Sequence, residues 1–244
     1  MRRGGAVVLG VVCMLACGLP TPAGAADQGP PPLIASGNGA DTCAAIDGVV
    51  RCWGVTFGPK PVRITGIPAD DGTAATRITS LSSADGAACV TQGGVVRCWG
   101  PAPFSWYANP DMTQTAAAVV PGFGEAKTIS VGGVIGPVCG IDEDRRVRCM
   151  GSDNRAGQLG NGTTTPSLTP QVVPGLTGVT AVDGSTWHAC AIHDGGKVSC
   201  WGANQWQQLG IPRQWDSSAY PLPQPLPIDD AEALDAGIES NCVI

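Results

Sequence analysis

The stretch Cys190-Ala191-Ile192-His193-Asp194-Gly195-Gly196-Lys197-Val198-Ser199-Cys200-Trp201-Gly202 decides the fold. Two short runs flank Asp194-Gly195-Gly196, a three-residue loop signal, and one cysteine stands equally far out on each side. That is the pattern of a β-hairpin whose cysteines oppose one another. Three earlier stretches repeat it: Cys43 to Val50-Arg51-Cys52-Trp53-Gly54, Cys89 to Val96-Arg97-Cys98-Trp99-Gly100, and Cys139 to Val147-Arg148-Cys149-Met150-Gly151. The first cysteine recurs at 43, 89, 139, 190 and 242, at intervals of 46, 50, 51 and 52 residues. A period near fifty marks a repeated supersecondary unit.

The turns fix the pairing. Asp47-Gly48 and Gly93-Gly94 read as two-residue hairpin turns, and Glu143-Asp144-Arg145 as a three-residue loop. Counting outward from each turn opposes Cys43 with Cys52, Cys89 with Cys98, Cys139 with Cys149 and Cys190 with Cys200. If the pair closing the turn is hydrogen-bonded, alternation makes the cysteine pair non-hydrogen-bonded, with Cα atoms about 4.5 Å apart. A disulfide accepts that separation. Four disulfides, one within each unit, are expected.

Another short strand lies upstream of each first cysteine: Leu33-Ile34-Ala35, Ile78-Thr79-Ser80-Leu81, Thr128-Ile129-Ser130-Val131, Val179-Thr180-Ala181-Val182 and Ala233-Leu234-Asp235-Ala236. A Pro/Val segment precedes it in later units, as in Pro170-Gln171-Val172-Val173-Pro174. Each unit is thus a small antiparallel sheet of three or four strands that cannot bury its own faces and must stack on its neighbours, as in a propeller or solenoid. Composition agrees: 35 Gly and 21 Pro among 244 residues, with 14% charged, disfavour long helices, while 43% apolar residues suffice for a core.

The N-terminus reads as a signal peptide over residues 1–25. Arg2 and Arg3 form a charged start, residues 6–19 an apolar run too short for a confident membrane span, and Ala23-Gly24-Ala25 a small-residue cleavage site. Lipidation at Cys17 is the rival reading, ranked second because Met14 stands where a lipoprotein signal has Leu. Export to the cell surface, periplasm or medium permits disulfides. Residues 26–244 read as one repeat domain with cores near 33–54, 78–100, 128–160, 179–210 and 233–244.

The fourth unit, with Trp187-His188-Ala189-Cys190, Cys200-Trp201-Gly202-Ala203-Asn204 and Gln208-Leu209-Gly210, resembles a regulator-of-chromosome-condensation repeat. So does the third, through Asn154-Arg155-Ala156-Gly157-Gln158-Leu159-Gly160. Units one and two keep the Cys-Trp-Gly core and lose the Gly-Gln-Leu-Gly tail. The resemblance implies an all-β fold of propeller blades, usually seven to a ring. Four units and the start of a fifth are present, so an open or incomplete propeller is expected, completed by association with another chain if at all. Cys242 opens a hairpin without its partner cysteine.

Chemistry finds little purchase. Asp183, Ser185 and His188 lie close in sequence and invite a triad reading. The residues two before the repeat cysteine are Asp41, Ala87, Pro137 and His188, so the histidine is not repeated, and the resemblance gives it a structural role. His188 and His193 lack the further ligands of a metal site. No phosphate-binding loop is present, and no cofactor is expected. Asn161-Gly162-Thr163 fits a glycosylation sequon inside the family's own turn. A net charge of −6 offers no basic field for nucleic acid.

Tryptophans remain. Trp53, Trp99 and Trp201 share one blade position with Met150 and should be core between blades. Trp206, Trp215 and the insert residues Phe104, Trp106 and Tyr107 break the repeat on loops. They read either as anchors for a protein partner or as side chains folded back over blade edges, the two standing level. The resulting expectation is an exported, non-enzymatic scaffold that binds a protein partner through blade loops. The alternative is an inhibitor of an extracellular enzyme, since propeller-type β-lactamase-inhibitor proteins have a similar repeat. Guanine-nucleotide exchange, implied by the nuclear member of the family, sits poorly with export and acidic charge. Glycan binding ranks last.

Overall fold

The computed structural model of the chain describes residues 32–36, 40–100, 115–133, 135–213 and 219–244. These residues form strands and turns with no helix, and the strands group by the repeat. The first sheet holds β1 (Leu33–Ser36), β2 (Asp41–Ile46), β3 (Val49–Gly54) and β4 (Gly58–Arg63). The second holds β5 (Ile78–Ala84), β6 (Ala87–Gln92), β7 (Val95–Trp99) and β8 (Ala118–Val119). The third is β9 (Thr128–Val131), β10 (Val138–Ile141), β11 (Val147–Gly151) and β12 (Ser167–Val172). The fourth is β13 (Ala181–Gly184), β14 (His188–His193), β15 (Lys197–Ala203) and β16 (Ala219–Pro225), and β17 (Leu234–Ala236) with β18 (Asn241–Val243) makes a further two-stranded sheet. Each sheet is an antiparallel meander in chain order.

One segment belongs elsewhere than the sequence suggested. The Pro/Val run near Pro170 forms β12, which pairs with β11 at the outer edge of the third sheet and not with the strand that follows it. Each blade therefore runs from an inner strand, through the cysteine hairpin, to an outer strand. Proline is tolerated there because an outer strand has a free edge, and β4 (Gly-Pro-Lys-Pro-Val-Arg) and β16 share the habit.

The hairpin register is the expected one. Cys43 faces Cys52, Cys89 faces Cys98, Cys139 faces Cys149 and Cys190 faces Cys200. All four pairs are bonded, with Cα atoms 4.0–4.1 Å apart. Asp47 and Gly48 both have positive φ, as do Gly93 and Gly94, which is the type I′ geometry that matches strand twist. Cys242, on β18, is a free, exposed thiol.

The third strand then bulges. Register shifts between Cys52 and Gly54, Cys149 and Gly151, and Cys200 and Gly202, at Trp53, Met150 and Trp201. A bulge re-aims the side chain it carries. The glycine that follows has a steric reason: a Cβ on Gly202 would lie 2.4 Å from the Trp187 carbonyl oxygen.

Cores form between sheets. Trp99 packs with Cys43, Cys52, Phe57 and Ile64 of the first sheet and its connections. Met150 packs with Cys89, Cys98 and Val96 of the second, and Trp201 with Cys139, Ile141 and Val147 of the third. Each repeat's large side chain thus seats on the blade before it, and Trp99, Met150 and Trp201 are fully buried. Trp53, expected in the same role, is only half-buried; its counterparts all point toward the preceding sheet, and no sheet precedes the first among the described residues.

Polar side chains stitch successive inner strands. The residue opposite each first cysteine accepts a hydrogen bond from the next blade's inner strand. Val131 N–H donates to Ser82 Oγ (2.9 Å), Gly184 N–H to Ser130 Oγ (3.0 Å) and Ala236 N–H to Asp183 Oδ2 (2.7 Å). No helix among the described residues is long and apolar enough to cross a membrane.

Candidate functional site

Antiparallel order places the connections between third and fourth strands at one end of the sheets and the cysteine-hairpin turns at the other. The longest of the first kind carry the residues that break the repeat. In the fourth blade the chain leaves β15 through Asn204-Gln205-Trp206-Gln207-Gln208-Leu209-Gly210, and Asn204 organises the turn from within. Its Oδ1 accepts the Leu209 N–H (3.1 Å), its amide donates to the Ile211 carbonyl (3.2 Å), and Asn204 and Leu209 are fully buried. Gln208 Oε1 accepts the N–H of Trp206 itself (2.9 Å).

The third blade repeats this almost atom for atom. Asn154 Oδ1 accepts from Leu159 N–H (2.9 Å) and Gln158 Oε1 from Ala156 N–H (3.1 Å). Where the third loop has Ala156 and Gly157, the fourth has Trp206 and Gln207, and Gln207 keeps a φ of +61° beside the +75° of Gly157. A left-handed residue other than glycine carries strain that the surrounding loop must hold. The result is an indole 67% exposed on a backbone pinned from both sides. Trp206 is therefore not folded back over a blade edge. Phe104, Trp106, Tyr107 and Trp215 lie outside the described residues.

Asp183, Ser185 and His188 come together without forming a triad. Ser185 Oγ lies 2.8 Å from His188 Nδ1, yet the other ring nitrogen contacts Asn241 Oδ1 (3.0 Å), and Asp183 binds Ser130 (2.7 Å) and Ala236 instead. Ser185 and His188 are fully buried, so no substrate reaches the hydroxyl. Burial pushes the Asp183 carboxyl above its ordinary range and holds the His188 imidazole below its own. The group is a clasp joining the third and fourth blades to the β17–β18 hairpin. Its partner Asn241 was not singled out in the sequence, where its place directly before Cys242 is the one signal that could have drawn attention to it.

Other sequence candidates resolve as turn chemistry. Asn161 Oδ1 accepts from the N–H (3.1 Å) and hydroxyl (2.9 Å) of Thr163, an Asx-type turn within the sequon. His193 bonds Ser199 (2.9 Å) and approaches Asp194 (3.3 Å), and no group of three or more His, Cys, Asp or Glu among the described residues is placed to hold a metal.

Residues 147–192 match the regulator of chromosome condensation (RCC1) repeat. No curated protein matches the chain. Among solved structures, human WBSCR16 superposes with a TM-score of 0.70 at 18% identity, covering 86% of this chain and 56% of that one. Prp20p from Saccharomyces cerevisiae gives 0.65 at 21% identity, covering 84% and 52%, and yeast RCC1 (Prp20) bound to Kap60 gives 0.63 at 20%, covering 84% and 51%. The chain spans about half the length of these structures.

Proposed function

We propose that this chain of RCC1-type propeller blades is an exported, disulfide-stapled scaffold that binds a protein partner through the loop-bearing end of its sheets, with Trp206 as anchor and no chemistry of its own. The observation that carries the reading is the contrast between two equivalent loops: one backbone, held by the same Asn and Gln bonds, with Ala156 in the third blade and an indole 67% exposed in the fourth. An aromatic of that size left in water on a rigid frame is the kind of residue that dominates interface energetics. The proposal extends to Phe104, Trp106, Tyr107 and Trp215, which break the repeat in sequence as Trp206 does and lie outside the described residues.

Two further observations support the reading. Four disulfides fit an oxidising compartment, as the expected signal peptide over residues 1–25 does. The solved relatives are themselves described with partners, Kap60 for yeast RCC1, and Gsp1p and histones for Prp20p. Those partners belong to those proteins; what carries over is a fold used for binding.

The test is capture from the culture fluid of the producing organism on immobilised chain, intact and as Trp206→Ala. A centrally anchoring Trp costs ~2 kcal/mol or more on truncation, so capture of the true partner should fall at least tenfold while the fold is retained. Equal capture by both forms removes Trp206 from the surface, and turnover of a substrate by purified chain ends the non-enzymatic reading.

A further inference from the structure

At the opposite end of the sheets, the hairpin turn of the third blade departs from its repeats beside an open cleft. In the second, third and fourth blades a connecting segment donates its N–H back to the last turn residue: Ala126 to the Gly94 carbonyl (2.9 Å), Val179 to that of Arg145 (3.0 Å), Ala231 to that of Gly196 (3.0 Å). Arg145 therefore occupies a position that is glycine in the second and fourth blades. There the connecting segment lies directly on the turn. A Cβ on Gly94 would come within 3.2 Å of Glu125 Cα, and one on Gly196 within 2.7 Å of the Asp229 carbonyl oxygen.

The third blade inverts the arrangement. Its turn residue is an arginine held at φ +58°, and the glycine has moved to the facing segment as Gly178, where an added Cβ meets nothing nearer than 3.9 Å. Beside this turn is an open cleft of about 350 Å³ between the third and fourth blades, lined by Lys127, Thr128, Ile141, Arg145, Val179 and Thr180. Its floor is aliphatic, from buried Ile141 and Val179, and its rim carries two cations.

Those cations are unspent. The neighbouring acids are engaged elsewhere: Asp142 with Arg146 (3.1 Å) and Arg148 (3.0 Å), Asp144 with Arg146 (2.6 Å), Glu143 with the N–H of Glu125 (2.7 Å), and Asp194 with Thr177 and His193. Lys127 and Arg145 take part in no ion pair among the described residues. A chain with a net charge of −6 thus sets two free cations over an apolar floor at the one hairpin turn where it gives up the repeat's glycine for arginine.

We infer that this cleft binds an organic carboxylate, the Arg145 guanidinium and Lys127 ammonium taking the carboxyl group while the carbon chain lies against Ile141 and Val179. A guanidinium presents paired donors that match a carboxylate in two parallel bonds. The aliphatic floor selects for a ligand with a carbon body, which a mineral anion lacks. The inference concerns the end of the molecule away from Trp206 and stands apart from the reading proposed above.

Titration of the oxidised, isotope-labelled chain with succinate, followed by amide resonances, tests it, with inorganic sulfate in parallel. Succinate should shift Lys127, Thr128, Arg145 and Thr180 saturably, and sulfate should bind at least tenfold more weakly. Arg145→Gly restores the residue of the other blades and so folds; it should weaken succinate at least tenfold, Lys127→Ala should weaken it too, and Trp206→Ala should leave it unchanged. Shifts that fail to saturate, or undiminished binding by Arg145→Gly, overturn the site. Equal binding of sulfate overturns the carboxylate assignment.

Discussion

The indole Nε1 of Trp201 donates to the carbonyl oxygen of Gln158 across the junction of the third and fourth blades, at 3.0 Å. The contact ties the repeated tryptophan of one blade to the repeated Gly-Gln-Leu-Gly loop of the blade before it. It explains Gly160 as well, since a Cβ there would sit 2.6 Å from the same nitrogen. Replacing Trp201 with Ala should cost ~3–5 kcal/mol of stability, as for large buried aromatics generally. Trp201→Phe should cost less, because it keeps most of the volume and forfeits the hydrogen bond, an expected ~1–3 kcal/mol for a carbonyl left buried and unpaired. Denaturant unfolding of the two variants checks both the sizes and their order.

The disulfides should matter blade by blade. Each closes a loop of 9 or 10 residues, for which the chain-entropy model gives ~2–3 kcal/mol. Cys139→Ala with Cys149→Ala should lower stability by about that amount and leave the other three bridges intact. Peptide mapping of the oxidised protein is the complementary measurement, and an abundant peptide joining cysteines of different blades would contradict the pairing.

Asn204 should control Trp206 at a distance. Its side chain closes the loop through Leu209 N–H and the Ile211 carbonyl, so Asn204→Ala leaves buried backbone groups unpaired at ~1–3 kcal/mol. The loop should loosen while the indole remains. Partner capture should then fall without loss of any contact atom, and faster amide exchange confined to residues 204–211 would identify the cause. Exchange unchanged from the parent would show that the turn holds without its asparagine.

The fold was legible because disulfide hairpins report register in one dimension: two cysteines equidistant from a turn can face each other in only one way. The inner strands were legible too, although Ile78-Thr79-Ser80-Leu81 grew to Ala84 and the strand expected from Val179 begins at Ala181. The outer strands misled, since Pro170 and its neighbours pair backward to β11 and nothing local distinguishes that from pairing forward. Trp206 stood out by breaking the repeat. The Arg145 cleft did not, because its meaning lies in Gly178, 33 residues on, taking over the glycine of the turn. Nor did the partners of Asp183 and His188, which come from blades more than fifty residues away.

That clasp sets the last expectation, a dependence of stability on pH. Asn241 donates its amide to the Gln208 carbonyl (2.6 Å), which turns its Oδ1 toward His188; the ring then donates from Nε2 and accepts the Ser185 hydroxyl at Nδ1. Burial disfavours the charged ring and holds the His188 pKa below its ordinary 6.5, with the Asn241 bond working against it. A folded-state value below the unfolded one gives a contribution that is complete above about pH 6.5 and is lost as pH falls toward the folded value. Asp183, raised by burial with Asp235 adding like charge, works the other way: its contribution is present below the ordinary 3.8 and is lost as pH rises through its folded value. The two therefore oppose on acidification, and only a variant separates them. Relative to His188→Gln, which cannot titrate, the parent should lose stability below pH 6.5 with a slope approaching ~1.4 kcal/mol per pH unit, one proton's worth. Unfolding free energies of both proteins from pH 7.5 to 5 decide it, and parallel curves would mean that His188 takes up its proton alike in the folded and unfolded chain, which overturns the lowered folded value.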